Sequence, residues 1–221
     1  HVRAQGRKSV ASHGLGAKGV FLVRRSDLIV LVGSNTAWCH PVIYQRIVAA
    51  RAAHGTKVVV IDPRRTETCA DADLHLALRP GSDVALFKGL LRHCYDNDLL
   101  DRSYLAAHVA VPEEFWSGLN DCRLAESARI CDLAEADLAT FFELFADNPR
   151  TVTLFSQGIN QSIRGTDQGN AIINLHLATG RIGKPGAGPF SITGQPNAMG
   201  GREVGGLATT LAAHRDFSDR N

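Results

Sequence analysis

The sequence predicts an α/β fold in which helices flank a mainly parallel, Rossmann-like sheet. Two short stretches, Leu28 to Val32 and Lys57 to Ile61, are apolar almost without interruption, as is typical of strands buried on both faces of a parallel sheet. Between them Ile43, Ile47 and Ala50 recur at helical spacing, which indicates an amphipathic helix. A strand, a helix and a second strand in this order form a βαβ unit with a right-handed crossover.

A turn of small and polar residues follows the first strand. Gly33, Ser34 and Asn35 allow the backbone to turn sharply, and Pro41 suits the first position of the next helix, which Gly55 can end. The N–H groups at a helix start favour an anion such as a pyrophosphate. The alternative is an ordinary turn with nothing bound, because this stretch is no GxGxxG fingerprint.

Charged residues follow the second strand. Asp62, Arg64 and Arg65 are expected at the same sheet edge as the first turn, because the carboxyl ends of parallel strands meet there. A carboxylate can accept a hydrogen bond from a ribose or from a purine N–H edge, and an arginine can pair with phosphate or stack on a base. A solvated charged turn is the alternative.

A third strand is predicted in LHLAL, residues 74–78, where leucine alternates. Gly81, Ser82 and Asp83 then form another turn, and Ser82 is expected to cap the following helix. The apolar stripe of that helix consists of Val84, Phe87, Leu91 and Cys94. Three polar turns at one sheet edge outline a nucleotide site.

The middle of the chain is predicted to be helical. Residues 96–131 resemble a connector of short helices broken by Pro112 and Gly118. Asp132 with Glu135 matches a capping box. It would begin a helix with the apolar stripe Leu138, Phe141, Phe142 and Phe145.

The second half repeats the order of strand, loop and helix. A strand is predicted from Thr151 to Phe155, a polar loop over residues 156–162, and a helix over residues 168–179 that Gly180 can cap. Its packing residues are Ile172, Ile173 and Leu177. We interpret His176 as a hydrogen-bonded interior or edge histidine rather than a metal ligand, because no second ligand lies three or four residues away.

Residues 180–206 are rich in glycine, and we expect no regular structure there. Such a stretch is either a flexible linker or a place where backbone approaches a ligand closely. The interspersed polar residues Ser191, Thr193, Gln195 and Asn197 favour the second interpretation.

The pattern divides the chain into three parts. Residues 1–25 form a basic arm, which we expect to be a poorly structured terminus rather than a nucleic-acid-binding element. Residues 26–147 form the Rossmann-like dinucleotide-binding domain. Residues 148–221 form a second, truncated α/β segment with a glycine-rich loop.

Composition narrows the class of protein. With 44% hydrophobic residues and no apolar run near the roughly 20 residues that span a bilayer, the chain is expected to be globular and cytoplasmic. The five cysteines are an odd number and include no CxxC pair, so they indicate neither a disulfide framework nor an iron–sulfur half-site.

Four motifs occur in one order along residues 26–215: LVGSNTAWCHP, VVVIDPRRTETCADADLHLALRPGSDVALF, QGINQSIRGTDQGNAIINLHLATGRIGKPGAG and GPFSITGQPNAMGGREVGG. Together they resemble the molybdopterin oxidoreductase family, and within it the catalytic subunits of bacterial assimilatory and periplasmic nitrate reductases. The resemblance implies the central domains of a formate dehydrogenase/DMSO reductase-like fold. It also implies a bis(molybdopterin guanine dinucleotide) molybdenum cofactor and reduction of nitrate to nitrite.

The resemblance also implies a set of cofactor-binding residues. Along one dinucleotide it places Gly33, Ser34, Asn35 and His40. Near its guanosine end it places Asp62 and Arg64, with Gly81, Ser82 and Asp83 in the same site. Against the pterins it places Gln157, Gln161 and Gln195. No residue of the chain is expected to be catalytic or to ligate the metal.

Two features of the family do not occur in this sequence. Family members hold a [4Fe–4S] cluster through four cysteines of an N-terminal domain, and these nitrate reductases ligate molybdenum through a cysteine before the first strand. We therefore expect a fragment or a truncated gene product that needs an electron-donor protein or domain and reduces no nitrate alone.

Two alternatives remain open. A formate dehydrogenase-like oxidoreductase is the nearest, although formate-oxidising relatives carry an arginine where this chain has Thr193. A non-catalytic nucleotide- or cofactor-binding module is the other, although residues 157–206 exceed what such a module needs.

Overall fold

A computed structural model describes residues 23–192, 203–204, 211–216 and 218. Its centre is a five-stranded parallel sheet in the order β3-β2-β1-β4-β5. The strands are β1 (Leu28–Val32), β2 (Lys57–Ile61), β3 (Leu74–Leu76), β4 (Thr151–Phe155) and β5 (Gly188–Ser191). The predicted α/β class with a parallel sheet is confirmed.

Helices connect the strands. They are α1 (Thr36–Cys39), α2 (Pro41–His54), α3 (Asp83–Asp96), α4 (Arg102–His108), α5 (Glu113–Ser117), α6 (Leu124–Cys131), α7 (Glu135–Asp147), α8 (Gln157–Asn160) and α9 (Gly165–Ala178), with 3-10 helices at Glu67–Cys69 and Ala212–His214. Among the described residues, no helix combines the length and apolar character that crossing a bilayer requires.

The two faces of the sheet are covered unequally. On one face α3, α6, α7 and α9 pack through a large cluster that includes Phe87, Phe141, Phe145 and Ile172. On the other face α2 covers the alternate strand residues through Ile43 and Ile47. The right-handed crossovers of a parallel sheet explain this, because β1 leads to β2 on one side and β4 to β5 on the other.

The register aligns the strand ends. Val32 lies opposite Ile61 of β2 and Phe155 of β4, which are the last residues of their strands. Leu76 likewise lies opposite Ile61, and Ser191 opposite Phe155. The loops that leave the five strands therefore begin at one level along a single edge of the sheet.

Both ends of α2 are as the sequence predicts. Pro41 is its first residue, and Gly55 ends it in the left-handed region with φ 70° while its N–H donates to Arg51 O. The predicted stripe of α7 is also confirmed, because Leu138, Phe141, Phe142 and Phe145 are all buried.

Two predicted helix caps differ from the structure. Ser82 occupies the N-cap position of α3, as predicted, but its side chain makes no capping hydrogen bond; its Oγ donates to the carbonyl oxygen of Arg79 at 2.6 Å. Asp132 does not begin α7 but ends α6 in the left-handed region with φ 59°, and its N–H donates to Ala128 O. A residue in that conformation closes one helix, so α7 begins three residues later, at Glu135.

Two stretches predicted to lack regular structure contain some. The polar loop 156–162 includes the single helical turn α8, and the glycine-rich stretch 180–206 supplies strand β5. Strand β5 pairs with β4 along its whole length. The hydrogen bonds of this pairing outweigh the weak strand preference of glycine and proline at its start.

His176 is interior, as expected. Its side chain is fully buried, and Nε2 lies 2.8 Å from Thr153 Oγ1. Burial, with a smaller contribution from the charge of Arg181, lowers the pKa of His176 well below its usual value. The ring is therefore neutral and serves packing rather than charge.

Arg181 lies three residues after the last residue of α9 and is also buried. Its guanidinium donates to Phe145 O at 2.6 Å and to Asn148 O at 2.8 Å, and it lies 3.7 Å from the centroid of the Phe145 ring. Burial lowers its pKa to about 10, so it is charged at neutral pH. It satisfies carbonyl groups at the carboxyl end of α7 that the helix itself leaves unpaired.

None of the five cysteines forms a disulfide bond. Cys94 and Cys131 are buried on α3 and α6, and Cys39 is exposed. The predicted domain boundary between residues 147 and 148 stays a prediction; the strands on either side of it lie in one sheet. The predicted basic arm falls on residues 1–25, of which 1–22 lie outside the described residues.

Candidate functional site

The loops after β1 and β4 touch at the centre of the sheet edge. Gly33 has φ 54°, and its carbonyl accepts a hydrogen bond from the N–H of Gly158 at 3.0 Å. A Cβ built on Gly33 would lie 2.7 Å from Gly158 Cα. β1 and β4 are the neighbours between which the chain reverses its direction across the sheet, and this is where open α/β sheets bind ligands.

The rest of the first loop is tied to the loop after β2. Ser34 Oγ lies 2.9 Å from Thr36 Oγ1, and both residues are buried. Thr68 Oγ1 donates to Asn35 Oδ1 at 2.9 Å and accepts from the N–H of Ala37 at 3.1 Å. The oxygen of the Asn35 amide is therefore used within the protein, and its NH₂ group is the part suited to a ligand.

Asp62 follows β2 and is only 5% exposed. Its Oδ1 accepts from the N–H of Arg64 at 2.9 Å, and the Arg64 Nε lies 3.8 Å away with the arginine side chain largely in solvent. His75 Nε2 donates to the Asp62 carbonyl at 2.9 Å. The backbone around Asp62 is thus fixed from both sides, while Arg64 can reach outward.

The turn after β3 leaves an open space. Gly81 has φ 84°, and a Cβ at this position would have no atom within 4 Å. Ser82 and Asp83 behind it are buried. An open turn in front of buried polar groups can admit a ligand close to the backbone.

Two buried carboxylates share this part of the edge. Burial raises the pKa of Asp83, and the negative charge of Asp62 raises it further. Asp83 forms no ion pair with any described residue, and its Oδ2 accepts from Gln168 Nε2 at 3.0 Å. Concentrated negative charge with neutral hydrogen-bond donors would be stabilised by a ligand that offers N–H or O–H groups.

The other predicted residues are more peripheral. Gln157 and Gln161 lie on and after α8, both exposed. His40 joins α1 to α2 and is partly exposed. Gln195 lies outside the described residues.

The sequence is similar to that of a known protein family. The sequence model of the Molybdopterin oxidoreductase family matches residues 8–221.

The chain belongs to the molybdopterin oxidoreductase family.

Individual relatives agree with this assignment. A nitrate reductase of Klebsiella oxytoca is 52% identical over 202 residues, which are 88% of this chain and 22% of that protein. A periplasmic nitrate reductase of Desulfovibrio desulfuricans is 37% identical over 204 residues, 87% of this chain and 27% of that protein. The chain thus spans about a quarter of the length of these relatives.

A solved structure supports the fold. Acetylene hydratase from Pelobacter acetylenicus has a TM-score of 0.60 and 21% identity, and the match covers 74% of this chain and 24% of that one. At this identity the likeness shows the fold alone.

The residues fit a molybdopterin dinucleotide by their chemistry. Gly33 and Gly158 leave no side chain at the contact between the loops after β1 and β4, and the turn at Gly81 is open. Asp62 and Asp83 could accept hydrogen bonds from a base or a ribose, and Arg64 could meet a phosphate. Among the described residues, no group of three or more metal-ligating side chains occurs.

Three residues that shape this sheet edge were not predicted from the sequence. Gly158, Thr68 and Gln168 acquire their roles only through contacts with distant segments. The burial of Gln168 could have been predicted from the sequence, because Gln168 lies four residues before Ile172 on the buried face of α9. A polar residue on an apolar helix face needs a polar partner.

Proposed function

We propose that this chain is part of a molybdenum enzyme that binds bis(molybdopterin guanine dinucleotide) and reduces nitrate to nitrite. The observation that carries the proposal is the extent of identity with a nitrate reductase, which covers nearly the whole chain. When bound, the molybdenum cofactor supplies the oxygen-atom transfer, and the residues of this chain hold and orient it.

We assign the residues of the sheet edge to parts of this ligand. Asp62 and Asp83 accept hydrogen bonds at the guanosine end, where Arg64 neutralises phosphate. The first loop follows the dinucleotide through Gly33, Ser34, Asn35 and His40, and Gly81 and Ser82 border the same site. Gln157, Gln161 and Gln195 approach the pterins. Support for this assignment comes from the burial of both carboxylates and from the open space at Gly81.

The proposal extends to partners. Nitrate is the substrate, and electrons come from a donor protein or domain through a [4Fe–4S] cluster held elsewhere in the longer protein. The cytoplasmic location stays a prediction from the sequence.

A segment exchange tests the substrate. The 202 matching residues of the Klebsiella nitrate reductase are replaced by those of this chain, and nitrate and formate turnover are measured at equal molybdenum content. We expect nitrate reduction to persist. Formate oxidation in its place would favour the formate dehydrogenase-like alternative, although Thr193, on which that distinction depends, lies outside the described residues.

Ligand protection tests the cofactor. Thermal unfolding of the 221-residue chain is followed with guanosine 5′-diphosphate (GDP) and with molybdopterin guanine dinucleotide. We expect greater protection by the dinucleotide at equal concentration, because it also meets the loops after β1 and β4. Equal protection by both ligands would contradict the proposal and favour a simple nucleotide-binding module.

A further inference from the structure

Gln168 is a buried polar residue on the face of α9 that packs against the sheet. It is 1% exposed, and Ile172 and Leu175 lie on the same buried face. Its Nε2 donates to Asp83 Oδ2 at 3.0 Å. Its Oε1 is also buried and has no hydrogen-bond partner among the described residues. Burying this amide is costly, and the contact with Asp83 is the compensation that the described residues provide.

The partner of Gln168 is a carboxylate that lacks a cation. Asp62 has Arg64 nearby, but no described lysine, arginine or histidine pairs with Asp83. A cation in the place of Gln168 would cancel the charge of Asp83 and compete with a ligand for it. A neutral amide instead occupies one oxygen, fixes the plane of the carboxylate and leaves its charge for a ligand.

We propose that Gln168 is a positioning residue that orients Asp83 toward the amino group of a bound purine and thereby sets a preference for guanine over hypoxanthine. The inference rests on the proposed function, because it assumes that the guanosine end lies at Asp62 and Asp83. Guanine presents the N1–H and an amino N–H side by side, and each can donate to one oxygen of a fixed carboxylate, because the oxygen that bonds to Gln168 can accept a second hydrogen bond. Hypoxanthine has the N1–H but lacks the amino group.

The test compares two nucleotides on matched variants. Dissociation constants of GDP and of inosine 5′-diphosphate (IDP) are measured by titration calorimetry on the 221-residue chain. Gln168→Met keeps the length of the side chain without its donor, and Gln168→Asn keeps the amide but shortens its reach. Gln45→Met, on the exposed face of α2, is the control.

The expected result is a change in selectivity. Both variants of Gln168 should weaken GDP binding about tenfold, as for one lost hydrogen bond to a charged group. IDP binding should change less, so the ratio of the two constants should approach one. This ratio is measured within each variant and is independent of the fraction of folded protein. Gln45→Met should leave both constants unchanged.

The pH profile adds a second measurement. Among the described residues, the titratable groups that face Asp83 are Asp62 at the end of β2 and Cys131 at the end of α6. Gln168 stabilises the ionised form of Asp83, so Gln168→Met should raise the pH below which GDP affinity falls. A purely structural role of Gln168 would change stability without moving this pH.

The outcomes separate the two proposals. A wild-type chain that binds GDP, with the same ratio and pH profile in both Gln168 variants, would overturn the positioning role and leave the proposed function intact. A wild-type chain that binds neither GDP nor the dinucleotide would overturn the proposed function and this inference with it.

Discussion

Gly33 and Gly158 lie so close together that neither position has room for a side chain. A Cβ on Gly158 would lie 2.6 Å from Gly33 Cα, and the N–H of Gly158 donates to Gly33 O. The loops after β1 and β4 are therefore joined backbone to backbone. This contact fixes the two loops at the centre of the sheet edge, where the cofactor is proposed to lie.

The first prediction concerns this contact. Gly158→Ala should lower the free energy of unfolding by about 2 kcal/mol, because the added methyl group must push apart two backbones. GDP and dinucleotide affinity should fall as well, since the loops separate. Urea denaturation measures the stability change. The control is Gly169→Ala in α9, where a Cβ meets no atom within 4 Å; a helical glycine replaced by alanine should gain up to about 1 kcal/mol. Equal stability of both variants would show that the loops can separate freely.

The second prediction concerns the charge of Asp62. Asp62→Asn keeps the shape and one acceptor oxygen, so stability should change by less than about 1 kcal/mol. GDP binding should weaken by about 1 to 3 kcal/mol, because the hydrogen bond from the ligand no longer reaches a charged group. The matched control is Asp167→Asn in the exposed first turn of α9. Calorimetric affinities that do not distinguish the two variants would remove Asp62 from the site.

The third prediction is a pH dependence of stability caused by His176. The folded pKa lies well below the usual value because the ring is buried, whereas the unfolded chain binds a proton near pH 6.5. The stabilising effect is complete above pH 6.5 and is lost as the pH falls toward the folded pKa. Within that window the loss is about 1.4 kcal/mol per pH unit.

A variant isolates this effect. His176→Gln should unfold with a shallower dependence on pH between 6.5 and 5, whatever its stability at pH 7. His54→Gln, on the exposed last turn of α2, should keep the wild-type slope. Denaturant unfolding at several pH values measures both slopes, and parallel curves for wild type and His176→Gln would contradict the assignment.

The fourth prediction concerns Arg181. Arg181→Lys keeps the charge but cannot make both hydrogen bonds or stack on Phe145, so it should destabilise the chain by about 2 to 3 kcal/mol. Arg129, which pairs with Glu126 on the surface, gives the comparison. Arg129→Lys should change stability by less than about 0.5 kcal/mol. A similar small effect for both substitutions would show that lysine can replace the buried guanidinium.

The parts of the fold that local sequence determines were predictable. β1 and β2 are continuous apolar runs, and Pro41 and Gly55 act through their own backbone preferences. The presence of Asp62 and Asp83 at one sheet edge followed from parallel topology alone. In each case the deciding information lies within a few residues.

The missed features depend on distant partners. β5 exists because β4 supplies its hydrogen bonds, and the Asp83–Gln168 pair joins residues 85 positions apart. Asp132 is a residue type that commonly begins a helix, but in the structure it ends the preceding helix, α6. The sequence pattern of one segment does not show which distant segment it will contact.

The uneven covering of the sheet limits how the protein can be shortened for expression. On the face that α2 covers, Val23 and Ile192 also belong to the buried cluster and are 1% and 2% exposed. An expressed segment that lacks Val23 or Ile192 would expose part of this layer to water, whereas neither residue belongs to the buried cluster on the opposite face. Expression boundaries should therefore include both residues.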